Sequence, residues 1–338
     1  MITIYDIAKQ AKVSASTVSK ALNNHSDISE KTKKRIKELA SEMGYLPNSH
    51  ARSLITKRSY NIGILFMDES NSGLTHAFFA NILENIRVTL ENKGYDITFI
   101  SSGFAGQRNA SFLEHCKYRG VDGVILACID FDSQQVLELI HSDIPVVLID
   151  KKIEGKSSVL SENYEGTKQA VHYLIDHGHE KIGFIHGQTN STGVTEERLR
   201  GFYDAMKERN KSIVEEWMMA GSYYEWKPTY QCVKKILTLP YKPTALLLPD
   251  DYAALAAYRV IHKMNLKIPE DLSLIGYDGL EFSQILTPRL TTIKQDTKSI
   301  GMLAGEKIIR LIEGNDNPEI IYVPSKILEG KSVKQLIK

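Results

Sequence analysis

The chain has 338 residues, of which 42% are hydrophobic and 25% charged, the composition of an ordinary globular protein long enough for two or three domains. No apolar run approaches the roughly 18 residues needed to cross a membrane, and the first residues are too polar for a secretory signal. The overall charge of +1 hides an asymmetry. Residues 1–60 carry 11 Lys and Arg against 5 Asp and Glu, so a basic N-terminal segment precedes a mildly acidic body. That division suggests a polyanion bound at one end. Cys116, Cys128 and Cys232 are odd in number and widely spaced, which suits reduced core residues of a cytoplasmic protein better than disulfides or a metal site.

The first two predicted helices are Ile4–Ala11 and Ala15–Asn24, joined by Lys12-Val13-Ser14. Ile4, Ile7, Ala8 and Ala11 share one face of the first helix, and Val18, Ala21 and Leu22 do so in the second. Thr3 with Asp6 forms a capping pattern, and Ser14 is a natural N-cap. Two short helices around so tight a turn are the sequence form of a helix-turn-helix. A third helix is expected from Glu30 to Met43, capped by Ser29 and ended by Gly44. After Pro47, Asn48 can cap a short helix reaching Ile55, too short to be stable alone.

Such a motif inserts its second helix into the major groove. Ala15, Ser16 and Lys20 lie on the outward face, where Lys20 can donate to guanine, Ser16 can bond several bases and Ala15 can meet a thymine methyl. Ser14, Ser19, Asn23, Thr32 and Lys33 are assigned to phosphate positioning.

Beyond Lys57-Arg58 the pattern becomes alternating strands and helices, the signature of parallel sheets with right-handed crossovers. Strands are expected at Asn61–Met67, Asp96–Ser101, Gly123–Cys128 and Pro145–Ile149, with helices at Ala77–Lys93, Gln107–Tyr118 and Ser133–Ile140. Near Ser161 the theme restarts, and Ile182-Gly183-Phe184 answers Ile62-Gly63-Ile64. Two similar α/β lobes imply a cleft where their strand C-termini face each other.

Several stretches closely resemble the lactose-repressor (LacI) family. In the N-terminal segment these are Thr3-Ile4-Tyr5-Asp6-Ile7-Ala8-Lys9, Thr17-Val18-Ser19-Lys20-Ala21-Leu22-Asn23, Gly44-Tyr45-Leu46-Pro47-Asn48 and Ala51-Arg52-Ser53-Leu54. In the body they include Val147-Leu148-Ile149-Asp150, Glu162-Asn163-Tyr164-Glu165-Gly166, Glu197-Arg198-Leu199-Arg200-Gly201-Phe202 and Gly276-Tyr277-Asp278. The resemblance spans the whole chain. It implies an all-α helix-turn-helix headpiece (1–47), a hinge helix and linker (48–59), and a periplasmic-binding-protein-like core (60–338). In that core the N-lobe would hold about 60–160 plus 292–320, and the C-lobe about 161–291 plus 321–338.

The resemblance further implies a transcriptional repressor that binds a pseudo-palindromic operator as a homodimer and answers to a small effector. The family reads bases at the positions of Ala15, Ser16 and Lys20, more often with arginine at the last. Leu54 matches its minor-groove wedge, and the small Ala51 one turn earlier allows close backbone approach. Asp150, Arg198, Asp250 and Asp278 fall where the family holds effectors, Phe79 matches a first-lobe aromatic and Tyr224 roughly a second-lobe one.

Where the family usually has Ala-Asn-Asp, this chain has Pro249-Asp250-Asp251, and Asp250 is also placed to cap a helix. Three carboxylates around one Arg suit a neutral polyhydroxy ligand, a sugar, more than an anion. A nucleobase or nucleoside effector, a protein co-regulator and a transport-type sugar-binding protein are the alternatives. No cofactor, metal site or enzyme motif is expected, since GxGxxG, GxxxxGK[ST], HExxH and GxSxG are all missing. The tail after Leu328 has no leucine heptad, which favours a dimer over a tetramer. Leu54→Ala is expected to weaken specific operator binding without unfolding the protein; an unchanged gel-shift titration at fixed salt would refute the wedge role.

Overall fold

In the computed structural model, which describes residues 2–45, 58–67, 72–103, 106, 110–189, 192–314 and 316–336, the chain forms two units, Met1–Ser59 and Tyr60–Lys338. The first holds α1 (Ile4–Ala11), α2 (Ala15–Leu22) and α3 (Glu30–Glu42). Thr3 and Asp6 form a complete capping box on α1, while Ser14 and Ser29 cap α2 and α3. Lys12, in the left-handed region at φ 55°, turns the chain from α1 into α2. The core is small: Ile7, Ala8, Val18, Ala21, Ile36 and Ala40 are buried, with half-buried neighbours such as Ile4, Leu22 and Leu39 around them. The hinge helix expected over Asn48–Ile55, with Ala51 and Leu54, lies outside the described residues.

The second unit contains two six-stranded sheets. In the first lobe β1 (Asn61–Phe66), β2 (Asp96–Phe99), β3 (Gly123–Ala127), β4 (Val146–Ile149), β5 (Ser157–Ser161) and β11 (Ile320–Val323) run in the order β11-β5-β4-β3-β1-β2, every pairing parallel. Alternate residues of the central strands enter different cores. Ile125 and Ala127 meet α4 (Ala77–Glu91) and α11 (Thr297–Glu313), while Val124 and Leu126 meet α5 (Phe112–Arg119) and α6 (Gln134–Ile140). This two-faced burial is why these strands read as unbroken apolar runs.

The second lobe repeats the plan. β6 (Ile182–His186), β7 (Met218–Ala220), β8 (Ala245–Leu247), β9 (Ser273–Asp278), β10 (Thr291–Lys294) and β12 (Lys326–Leu328) take the order β12-β10-β9-β8-β6-β7, with only β12 antiparallel. One face is covered by α7 (Asn163–Asp176) and α8 (Val194–Glu208), the other by α9 (Trp226–Thr238) and α10 (Asp251–Lys263).

The chain changes lobes slightly later than the sequence suggested. β10, expected to open the return to the first lobe at 292, pairs with β9 in the second sheet. Residues 321–323, expected in the second lobe, belong to β11 of the first sheet. Pairing decides this: β11 lies beside β5, the Ser158 N–H donates to Glu319 O at 2.9 Å, and Val323 is buried in the first-lobe core. β5 was not anticipated, because Ser157, Ser158 and Ser161 interrupt its apolar pattern. The turn into β11 is held by the fully buried Lys307. Its ammonium donates to Asp316 at 2.9 Å, Asn317 O at 2.8 Å and Glu319 at 3.1 Å.

Candidate functional site

On α2 the reading face is built by the burial of the opposite one. Val18 and Ala21 are buried, so Ser16 is fully outward, while Ala15, Ser19 and Lys20 are half-buried on its flank. Lys20 is engaged: its ammonium meets Asp27 at 2.5 Å and holds that carboxyl below the usual carboxylate range. An exposed pair of this kind is weak and yields readily to a better acceptor. Ser14 spends its hydroxyl on the cap, accepting from the Thr17 N–H at 3.0 Å, and the Asn23 amide donates to Ser19 O at 2.9 Å. Thr32 shares a 2.9 Å hydrogen bond with Ser29. Lys33, expected among the phosphate contacts, is buried in the headpiece and donates to Glu30 at 2.7 Å. That leaves Lys31, Lys34 and Lys37 as the exposed lysines of α3.

The second candidate site lies between the two lobes of the core. A cavity of about 260 Å³ is lined from the first lobe by His76, Phe78, Phe79, Cys128, Ile129 and Asp150, and from the second by residues including Arg198, Tyr223, Asp250 and Asp278. Gln295, just past β10, also faces it. Strand ends of both sheets converge here, as the doubly wound topology requires. Cys128, Asp150 and Asp278, which end or follow strands, have φ of 53°, 59° and 104°. Non-glycine residues held in that region cost free energy that the surrounding fold must supply, a pattern typical of ligand sites.

Arg198 is buried and heavily constrained. Its Nε donates to Asn163 Oδ1 and its Nη1 to Pro249 O, each at 2.8 Å, and the guanidinium lies 3.5 Å from the centre of the Tyr277 ring. Among the described residues it makes no direct ion pair, so it acts on the carboxylates through space. Burial raises the pKa of Asp150, Asp250 and Asp278, and for Asp278 the neighbouring Asp250 adds to the rise. Behind them the fully buried Asp251 is pushed up by burial to about 8; it accepts from Thr292 at 2.6 Å and the Leu280 N–H at 2.7 Å. Asp278 accepts from Gln295 at 2.7 Å.

Asp250 has both expected roles available. One oxygen caps α10 by accepting from the Ala253 N–H, and the other accepts from the Tyr224 N–H, each at 2.6 Å. Tyr224, expected to face the ligand, instead crosses between the lobes. Its ring stacks 3.8 Å from His76 and 4.5 Å from Tyr252, and its hydroxyl donates to Thr75 O at 2.8 Å and accepts from the Ala77 N–H at 3.1 Å. The aromatic facing the cavity is Tyr223, whose hydroxyl bonds Thr195 at 2.8 Å. Gly187 makes room for it, since a Cβ there would lie 2.1 Å from the ring. The two tyrosines are adjacent in a loop without a periodic pattern, so the sequence could not choose between them. Gln295 was missed although it follows a strand, the same signal that marked Asp150. Cys128, expected in the core, lines the cavity.

Two outcomes follow. Asp27→Asn should free Lys20 and tighten operator binding by about two- to fivefold, measured by fluorescence anisotropy against selected operator DNA at fixed salt; no gain would show that the pair does not restrain Lys20. Asp278→Asn should stabilise the unliganded protein. A carboxyl whose folded pKa is raised keeps a proton that the unfolded chain has lost, so its stability is present at low pH and disappears as pH rises. The variant should melt higher than wild type at about pH 8, by about 2–4 °C per kcal/mol relieved, and the gap should close towards about pH 4. A pH-independent gap would contradict the burial argument.

The lacI family profile of bacterial regulatory proteins matches residues 3–48, and a periplasmic-binding-protein-like domain profile matches residues 171–333. The probable HTH-type transcriptional repressor ExuR of Bacillus subtilis (strain 168) is 33% identical, over 99% of both chains. The HTH-type transcriptional repressor PurR of Aliivibrio salmonicida (strain LFI1238) is 32% identical, over 99% of this chain and 100% of its own. Among solved structures, a lac repressor dimer bound to operator and the anti-inducer ONPF has a TM-score of 0.82 at 25% identity, covering 98% of this chain and 99% of that one. A putative ribose operon repressor from Burkholderia thailandensis has a TM-score of 0.69 at 28% identity, covering 80% and 99%. With helix-turn-helix, two-lobed core and full-length relatives in agreement, the chain belongs to the lacI family of bacterial regulatory proteins and is a DNA-binding transcriptional repressor.

Proposed function

We propose that this repressor binds a pseudo-palindromic operator as a homodimer in the cytoplasm and is controlled by a neutral polyhydroxy compound, a sugar, held between the lobes. Ala15, Ser16 and Lys20 read base edges, with Ser14, Ser19, Asn23 and Thr32 near the backbone, Leu54 as a minor-groove wedge and the small Ala51 allowing close backbone approach. One headpiece offers few base contacts, so pairing two of them is what makes specific affinity attainable. The similarity to an operator-bound lac repressor dimer supports that arrangement.

The observation that carries the effector class is the charge balance of the cleft. Among the described residues, Asp150, Asp250 and Asp278 converge with Arg198 as the only Lys or Arg lining the same 260 Å³ cavity. A sugar hydroxyl donates to a carboxylate, and a protonated Asp278 can also donate back. A phosphate or carboxylate ligand would add negative charge where it is already in excess. Phe79 and Tyr223 supply apolar faces for a sugar ring, one from each lobe. The likeness to a putative ribose operon repressor points the same way.

Occupation of the cleft is then linked to lobe closure. Asp250 lines the cavity and also holds the Tyr224 backbone, and Tyr224 reaches the Thr75–Ala77 segment that starts α4 in the first lobe. A ligand that tightens this chain favours the closed form, and effector and operator affinities become reciprocally coupled. Calorimetry on the full-length protein with neutral hexoses and pentoses, and with their phosphorylated and carboxylated forms, tests the reading. Binding should be confined to the neutral compounds, and Asp278→Ala should weaken it by about 10–100-fold, the loss of one strong hydrogen bond. Affinity for the anionic forms alone would overturn it.

A further inference from the structure

The cavity between the lobes does not end at Asp150. A second chamber of about 820 Å³ adjoins it, and Asp150, Thr192 and Val194 line both. The inner chamber alone falls just below the roughly 300–1,000 Å³ usual for small-molecule sites, whereas the two together offer room for a longer ligand.

The outer chamber has the chemistry of a carbohydrate subsite. Tyr322, on the edge strand β11, is 54% exposed and presents an aromatic face from the first lobe. Tyr164, on the first turn of α7, lines it from the second lobe, its ring under the Arg200 guanidinium at 4.5 Å and its hydroxyl fixed by donation to Asp204 at 2.9 Å. Glu162, Glu165 and Glu196 line the chamber, and their carboxylates make no hydrogen bond or ion pair among the described residues. Arg200, paired with Glu197 at 2.6 Å, Lys151, 3.8 Å from Asp132, and Lys152 also line it, three cations against six carboxylates. At the neck stands Ser161, 4% exposed, whose Oγ has no hydrogen-bond partner among the described residues. Its N–H donates to Asp150 at 3.4 Å, so it joins the carboxylate shared by both chambers to the outer one. A buried hydroxyl left without a partner is costly unless something supplies one.

Building on the neutral-sugar reading above, we propose that the effector is a glycoside of at least two units: one ring fills the inner chamber and a second, uncharged unit lies in the outer chamber on Tyr322. Free carboxylates with an aromatic face favour a hydroxyl-rich unit there and disfavour a phosphorylated one.

The test is calorimetry on the full-length protein with neutral hexoses and pentoses and with their α- and β-linked disaccharides, repeated for Tyr322→Ala and Tyr322→Leu, with melting curves confirming that both variants fold. A disaccharide should bind at least about tenfold more tightly than either of its component sugars. Both variants should cut that ratio to about threefold or less and leave monosaccharide affinity unchanged. Monosaccharides that bind as tightly as any disaccharide would overturn the two-unit ligand and leave the neutral-sugar reading standing. A ratio that survives both substitutions would overturn the Tyr322 subsite. Binding of no saccharide of either length would overturn the cleft reading itself and this inference with it.

Discussion

One buried guanidinium faces the buried carboxyls of Asp250 and Asp278 and the half-buried one of Asp150 in the cleft, and it is too constrained to neutralise them. Arg198 is committed to Asn163, to the Pro249 carbonyl and to the face of Tyr277. Burying charge without a close partner is expensive, so these carboxyls carry an electrostatic cost within the fold. The core tolerates it because two doubly wound sheets with extensive apolar faces surround the cleft. On the proposal of a neutral sugar effector, a ligand rich in hydroxyl groups would relieve that cost by supplying donors.

The same carboxyls reach further than their own hydrogen bonds. Asp250 anchors the N-terminus of α10 and the Tyr224 backbone, and the Tyr224 ring is sandwiched between His76 of one lobe and Tyr252 of the other. Asp251, one residue on, ties α10 to the strand ends through Leu280 and Thr292. Two adjacent aspartates therefore divide the work: one faces the cavity and the partner lobe, the other the interior.

The headpiece rests on much less. Its fully buried set is six mostly small residues, so capping contributes a large share of its local order. The ion pair with Asp27 occupies Lys20 on the flank of α2, and Lys33 is folded inward against Glu30. Charge counted along α3 therefore overstates the charge offered to a phosphate backbone.

Helix spacing, caps and alternating apolar runs were enough to read the helix-turn-helix, both α/β lobes and the cleft between them from the sequence, because each is set by local periodicity. Asp150, Arg198, Asp250 and Phe79 were legible since a strand end, helix start or family motif fixed their place. Pairing between distant segments was not legible. It placed β11 beside β5, moved the lobe crossings, and gave the serine-rich β5 a strand's role. The choice of Tyr223 over Tyr224 for the cavity likewise came from a neighbour far along the chain, Thr75, which the Tyr224 hydroxyl reaches. Local order follows from the sequence within a few residues; which side chain meets which cavity depends on contacts that exist only once the lobes have closed around it.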